Sequence, residues 1–281
     1  MFATAQLGSV AYSLAAVMLW GTSDFLGGYA TRRADAFVFT SVVNMGGLLL
    51  VGSLVTAGRV PLPSTHSMIW ALAGGISGGA SLAIFYRALS SSRMGLTAPV
   101  AAVLSAAIPA LVAMISQGLP GTIVILGFGL AVVGLWLITR TEGGTTPEGI
   151  ELAIVAGIGF AGFYLCVHQA GDSPALWTAT FSRCGGLLVT ALIVIAQRNF
   201  RDITRTGVLW AVLTGCIDSA GTVFFVRACQ SGRLDEAVVL SSLYPAITVL
   251  LARIFLKEHF TRWRFVGLLA ALAAVPMIAA R

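Results

Sequence analysis

The sequence predicts an all-α membrane protein whose ten transmembrane helices form two inverted five-helix repeats. Three observations predict this fold: long apolar runs, an internal duplication, and an odd number of runs in each copy. The chain has 281 residues, of which 57% are hydrophobic and only 10% are charged. A typical soluble domain carries about 25% charged residues. Its mean hydropathy of +0.92 places most of the chain in a bilayer.

Each apolar run is long enough to cross a membrane, since a transmembrane helix needs about 20 such residues. Short polar breaks with glycine, proline or charged residues separate the runs. The predicted spans are 7–30, 36–57, 67–90, 94–116, 121–139, 150–170, 174–196, 206–230, 236–256 and 262–280.

The duplication appears as a constant offset of 140 residues between two stretches. Residues 69–93 align with 209–233, and nine of the 25 aligned positions are identical. An earlier pair matches at an offset of 139, where Gly46-Gly47-Leu48-Leu49 meets Gly185-Gly186-Leu187-Leu188. The predicted repeats are therefore 1–141 and 142–281. Internal repeats of this kind are typical of secondary transporters.

Five spans per repeat require the second copy to enter the membrane from the opposite face. Such inverted repeats enclose a site near the midplane and expose it to each side in turn, which is alternating access. Twelve Lys or Arg residues lie in the loops after odd-numbered spans or in the adjoining helix ends, and four lie in the corresponding regions after even-numbered spans, the C-terminus included. The positive-inside rule then favours both termini outside the cell.

Several classes of function are disfavoured by composition. The first six residues carry no Lys or Arg and the first apolar run is span length, so no cleaved signal is expected. The four cysteines fall inside spans without a CxxC pair, so neither a disulfide nor a metal site is expected. Lys and Arg gather at span ends, where they meet lipid headgroups, so nucleic acid is not an expected partner.

Five short motifs occur across the two copies. They are 20–28, Phe85-Tyr86-Arg87-Ala88-Leu89, Ala98-Pro99-Val100, 240–246 and Leu256-Lys257-Glu258-His259-Phe260-Thr261. Together they resemble the EamA-type branch of the drug/metabolite transporter (DMT) superfamily. The resemblance implies a ten-helix exporter or exchanger of small metabolites that uses no ATP, with four helices of each half around a cavity. It also implies cytoplasmic termini, against the charge count. Gln117-Gly118 replaces Lys257-Glu258 in the first copy.

Three charged residues lie in the inner parts of the predicted spans, within the bilayer core, where charge is rare and usually functional. Arg183 and Asp218 lie near the centres of spans seven and eight, and Asp24 is roughly 9 Å from the centre of span one. Arg183 could bind a substrate anion, while Asp218 or Asp24 could meet a cation or carry a coupling proton. The structural alternative is mutual neutralisation. We expect Arg183 to face the interior and pair with Asp218 or Asp24.

The equivalent positions in the other copy are Asn44 for Arg183, Gly78 for Asp218 and Tyr164 for Asp24. The two halves therefore share a frame but differ in polarity, and an asymmetrically bound substrate is expected.

Aromatic residues and prolines complete the candidate set. Trp20, Phe163, Tyr164, Trp177 and Tyr244 could line the cavity or hold a cation, and interface or packing roles are the alternative. His168, near the end of span six, is a weaker candidate. Mid-span prolines free a backbone carbonyl and can hinge a helix. The predicted hinges are Pro99, Pro109 and Pro245.

The predicted function is secondary transport of small amphipathic metabolites, such as amino acids or related zwitterions. Alternatives are a carrier of choline-type cations and a flippase for lipids or lipid-linked sugars. A membrane enzyme would need a metal cluster or a nucleophile–base set, which is not visible. The predicted substrate-binding residues are Trp20, Asp24, Asn44, Tyr164, Arg183, Asp218 and Tyr244, with Asp24 and Asp218 as coupling candidates.

No cofactor is expected. The expected partners are a small-molecule substrate and membrane lipids, with the coupling species open between a proton and a counter-substrate. The expected location is the bacterial cytoplasmic (inner) membrane.

Overall fold

A computed structural model describes residues 2–91, 94–117, 121–139, 149–171, 173–198, 203–231, 241, 243–258 and 261–279. Across these residues the fold is all-helical, with ten helices and no strand. In chain order they are α1 Phe2–Ala30, α2 Ala36–Ala57, α3 Thr65–Ser91, α4 Met94–Gln117, α5 Thr122–Thr139, α6 Ile150–Gln169, α7 Ala175–Gln197, α8 Arg205–Ser231, α9 Tyr244–Phe255 and α10 Arg262–Ala279.

The helices follow the predicted spans closely, which confirms the all-α class for the described residues. The start of the ninth span, 236–240, and the repeat boundary at 141/142 lie outside the described residues. Pro245 is the second residue of α9, so it lies in the first turn of that helix, and its role as a hinge stays a prediction. A proline is tolerated there because its missing N–H would have no helical partner.

Five helices are long and apolar enough to cross a membrane by length and composition: α2, α3, α6, α7 and α8. Shorter apolar segments within the described residues are Leu96–Pro109, Thr122–Gly134, Tyr244–Phe255 and Phe265–Ala274. Ten complete spans and their inverted arrangement stay predictions.

Loops that follow odd-numbered helices meet at one end of the bundle. Glu258, after α9, accepts a hydrogen bond from the backbone N of Met94 at the start of α4, at 3.1 Å. The same carboxylate lies 3.8 Å from the guanidinium of Arg32, which follows α1. A carboxylate is favourable at a helix N-terminus because the first N–H groups of the helix have no internal partner.

Loops that follow even-numbered helices meet at the other end. The indole N–H of Trp177, at the start of α7, donates to the carbonyl of Val60 after α2, at 3.1 Å. The amide of Gln230, at the end of α8, donates to the carbonyl of Ser173 after α6, at 2.7 Å. The contacts therefore bring the C-terminal ends of α1, α3 and α9 together, and likewise those of α2, α6 and α8.

The helix pairs of one half reappear in the other: if each helix of a packed pair is replaced by the helix five positions away in the chain, the result is again a packed pair. α1 packs on α8 and α6 packs on α3, while α3 packs on α7 and α8 packs on α2. α5 and α10 exchange with each other and pack together, apart from the bundle centre.

Close backbone contacts at glycines repeat the same exchange. A Cβ at Gly75 in α3 would collide with the backbone of Ser182 in α7. A Cβ at Gly215 in α8 would collide with the backbone of Val43 in α2. Gly75 and Gly215 are equivalent at the 140-residue offset, and Val43 and Ser182 at the 139-residue offset. Small residues allow such helices to approach closely in a membrane.

Candidate functional site

A cavity lies where α1, α2 and α3 meet α6, α7, α8 and the start of α9. Its volume is about 70 Å³. It is lined by Trp20, Asp24, Asn44, Gly75, Gly78, Gly79, Leu82, Phe160, Phe163, Tyr164, Ser182, Arg183, Asp218, Thr222 and Tyr244. All seven residues predicted to bind substrate are therefore in one cavity. Their binding role stays a prediction.

Arg183 is the centre of the polar part of this cavity. It is 7% exposed, and its Nη2 lies 2.5 Å from Asp218 Oδ2. The predicted pairing of Arg183 with an interior carboxylate is thus confirmed, and Asp218 is the partner. The pair joins α7 to α8. Because both side chains are buried away from water, each charge is neutralised by the other.

Two further acceptors hold the guanidinium. Nη2 donates to the hydroxyl of Thr222 at 2.9 Å, and Nη1 donates to Asn44 Oδ1 at 3.4 Å. The Arg183 Nε, in contrast, is buried without a hydrogen-bond partner. Most of the donor capacity of Arg183 is therefore used within the protein.

Asp218 has a second partner on another helix. Its Oδ1 accepts a hydrogen bond from the hydroxyl of Ser23 in α1 at 3.4 Å. Ser23 also donates to the carbonyl of Trp20 at 2.9 Å. The side chain of Asp218, which is 6% exposed, thus joins α1 to the arginine on α7.

Asp24 is in a different situation, although it lines the same cavity. It is 5% exposed, and no described residue donates a hydrogen bond to its carboxylate or forms an ion pair with it. It lies one residue after Ser23, and one helical turn after Trp20 on the same face of α1. The cavity therefore contains one paired carboxylate and one free carboxylate.

Aromatic rings form the apolar side of the cavity around Trp20. Its ring centroid is 6.4 Å from that of Tyr164 and 6.2 Å from that of Tyr244, which it meets edge to face. Tyr164 also contacts Phe163, at 5.6 Å. Aromatic pairs prefer such tilted and edge-to-face geometries. Their surface could accept an apolar or a cationic group.

Other sequence candidates lie elsewhere. Trp177 is outside the cavity because it starts α7 at the loop end of the helix, where it bonds to Val60. His168 is exposed near the end of α6 and does not line the cavity. Pro99 and Pro109 lie inside α4. That helix supplies no described cavity-lining residue, whereas the family resemblance implies four lining helices per half.

Thr222, Ser182, Phe160 and Leu82 line the cavity without having been predicted to do so. Thr222 could have been found from spacing, because it follows Asp218 by four residues and so lies on the same helix face. Ser182 precedes Arg183 directly. Phe160 and Leu82 are ordinary membrane residues, and nothing in the sequence distinguishes them from lipid-facing or packing side chains.

No cluster of three or more His, Cys, Asp or Glu residues that could hold a metal ion occurs within the described part of the chain. The four cysteines are free.

Comparisons with known proteins found similarities to a transporter family, to one curated protein and to a solved structure. The family model of EamA-like transporters matches residues 147–280. An uncharacterized protein of Methanocaldococcus jannaschii is 25% identical over 93 residues, which cover 33% of this chain and 68% of that protein. A solved structure described only as "Crystal structure of protein" is similar with a TM-score of 0.68 and 18% identity. It covers 96% of this chain and 95% of its own, so the two share a fold.

Proposed function

We propose that this protein, whose residues 147–280 are an EamA-like transporter unit, is a secondary transporter of small amphipathic solutes. The observation that carries the proposal is the cavity, which places a buried charge cluster and an aromatic wall between the two halves of the chain. The protein is a membrane transporter of the EamA type, and its substrate is a small molecule.

The proposed mechanism is alternating access by an inverted repeat. It is supported by the exchange of helix partners between α1–α5 and α6–α10, and by the matching glycine contacts at Gly75 and Gly215. Contacts at the two loop ends, around Glu258 and around Val60, are of the kind that would open and close in turn. Movement of one half against the other would expose the cavity to each side.

Two substrate classes have a specific observation in their favour. A zwitterion, the class expected from the sequence, could place its carboxylate at the guanidinium of Arg183, which lines the cavity. An organic cation could use the unpartnered carboxylate of Asp24 and the rings around Trp20. A lipid or lipid-linked sugar flippase has no such observation among the described residues. A proton or a counter-substrate would couple transport at Asp24 or Asp218.

Solute counterflow in proteoliposomes tests the proposal. Vesicles containing the purified protein are loaded in turn with unlabelled amino acids, amines and nucleosides, and uptake of the same labelled solute is followed without ATP. We expect exchange of at least one class above the level of protein-free vesicles. Folded protein that exchanges none of them would contradict secondary transport of small solutes.

A further inference from the structure

We infer that the cavity takes a small organic cation of the ammonium type, held between the carboxylate of Asp24 and the rings of Trp20, Tyr164 and Tyr244. This inference rests on the proposed transport function and names its substrate class. It begins with the charges of the cavity. Among the described lining residues, the charged ones are Asp24, Arg183 and Asp218.

Arg183 and Asp218 cancel each other at 2.5 Å. A substrate carboxylate would have to compete with Asp218 for the guanidinium, which also donates to Thr222 and Asn44. An anion would in addition face the unpaired carboxylate of Asp24. The acidic side chain that remains for a ligand is therefore Asp24.

Asp24 is a poor site for a bare metal cation. A hard cation of the Ca²⁺ or Mg²⁺ kind needs about six or more oxygen ligands. The side-chain oxygens of Asn44, Asp218 and Thr222 already accept from Arg183. Much of the remaining lining is aromatic or glycine. An organic cation needs no such oxygen shell.

The aromatic wall suits an alkylated ammonium group. Trp20 lies on the same face of α1 as Asp24, and its ring is edge to face with Tyr244 at 82° and tilted against Tyr164 at 49°. Non-coplanar rings can surround one cation, which is attracted to ring faces within about 6 Å. The volume of about 70 Å³ restricts the ligand to a small molecule.

A matched set of four probes of nearly equal shape tests the charge requirement. They are choline (cation), glycine betaine (zwitterion), 3,3-dimethyl-1-butanol (neutral) and 3,3-dimethylbutyrate (anion). Calorimetric titration of the full-length protein in detergent at pH 7 should show binding of choline at least about ten-fold tighter than that of the other three, since the missing ion pair is the dominant difference.

Two variants locate the binding group. Asp24→Asn should weaken choline binding at least about ten-fold by removing the charge. Trp20→Leu, which keeps the carboxylate and removes the ring, should weaken it about 2- to 30-fold, the range of one cation–π contact. The matched control is Asp35→Asn. Asp35 caps α2 outside the cavity, and Asn is an equally good cap, so choline affinity should not change.

The outcomes separate the substrate class from the transport function. Tighter binding of betaine, the alcohol or the anion overturns the inference, as does binding of none of the four or unchanged choline affinity in folded Asp24→Asn. Counterflow of the same probes is then measured. Exchange of betaine but not choline leaves secondary transport intact and overturns the cation site. Binding of choline through Asp24 without exchange of any solute supports the cation site and contradicts transport.

Discussion

Arg183 donates a hydrogen bond to Asn44, and the two residues occupy equivalent positions in the two halves of the chain. Because these two equivalent residues touch, both lie where the two halves of the chain meet. A glycine lies three residues after each of them, and these glycines repeat the relationship. Gly186 approaches Asn44, and Gly47 approaches Arg183. The charged cluster therefore lies at sequence-equivalent positions of the two halves, which carry different side chains.

The ion pair between Arg183 and Asp218 can be tested by removing its charges, since the equivalent residues in the first half, Asn44 and Gly78, carry none. Asp218→Asn alone should lower the stability by about 3–5 kcal/mol, because it leaves the buried Arg183 charge without its partner. Asp218→Asn combined with Arg183→Asn should cost less, since no buried charge remains. Thermal unfolding in detergent measures both. If the double variant were at least as unstable as the single variant, the cost of the single variant would not come from leaving the buried Arg183 charge without a partner.

Thr222 should stabilise Arg183 through its hydroxyl. Thr222→Val keeps the side-chain shape and removes the 2.9 Å hydrogen bond, which should cost about 1.5–3 kcal/mol for a bond to a charged group. Thr214→Val is the control on the same helix, because the Thr214 hydroxyl donates to the neutral carbonyl of Trp210 in its own helix. Equal losses of thermal stability in the two variants would contradict a specific role for Thr222.

Gly75 and Gly215 should be intolerant of any side chain. Gly75→Ala and Gly215→Ala each place a methyl group against the backbone of a neighbouring helix and should destabilise the protein by about 1–3 kcal/mol, the usual cost of overpacking. Gly52→Ala is the control, since a Cβ at Gly52 meets open space in α2. That variant should be neutral or slightly stabilising. Unfolding temperatures that do not distinguish Gly75 from Gly52 would contradict the close helix contact.

Glu258 should hold one end of the bundle closed. Glu258→Ala removes the acceptor for Met94 N and the partner of Arg32, with an expected loss of about 1–3 kcal/mol, most of it from the half-buried hydrogen bond. Glu151→Ala, in the exposed first turn of α6, is the comparison and should cost less. Proteolysis and thermal unfolding would both report the difference. The account of this end fails if Glu151→Ala is the more damaging change.

Helix positions and the membrane class followed directly from sequence, because bilayer thickness sets the length of an apolar run. The pairing of Arg183 with an interior carboxylate also followed, because a charge in that environment requires a partner. Which carboxylate it would choose did not follow. That choice depends on how α7 and α8 pack and on the rotamer of the arginine. The spacing of residues in the sequence predicts neither of these.

The same limit explains the role of Thr222 and the position of Trp177. A helical threonine usually bonds to its own backbone, and Thr222 does so while also accepting from Arg183. Trp177 has the kind of side chain that often lines a cavity. It lies at the start of α7, however, where its indole N–H donates to the loop carbonyl of Val60.

The most direct test of the central claim, alternating access to this cavity, is the reactivity of a cysteine at Ser182. Ser182 lines the cavity and is 5% exposed. In a background with the four native cysteines replaced, Ser182→Cys is treated in oriented proteoliposomes with a membrane-impermeant maleimide from one side or the other. Ser13→Cys, buried away from the cavity, is the control. The account predicts that Cys at 182 reacts from both sides, that substrate slows the reaction, and that labelling stops counterflow. Reaction from one side only, or counterflow that continues after complete labelling, would contradict it.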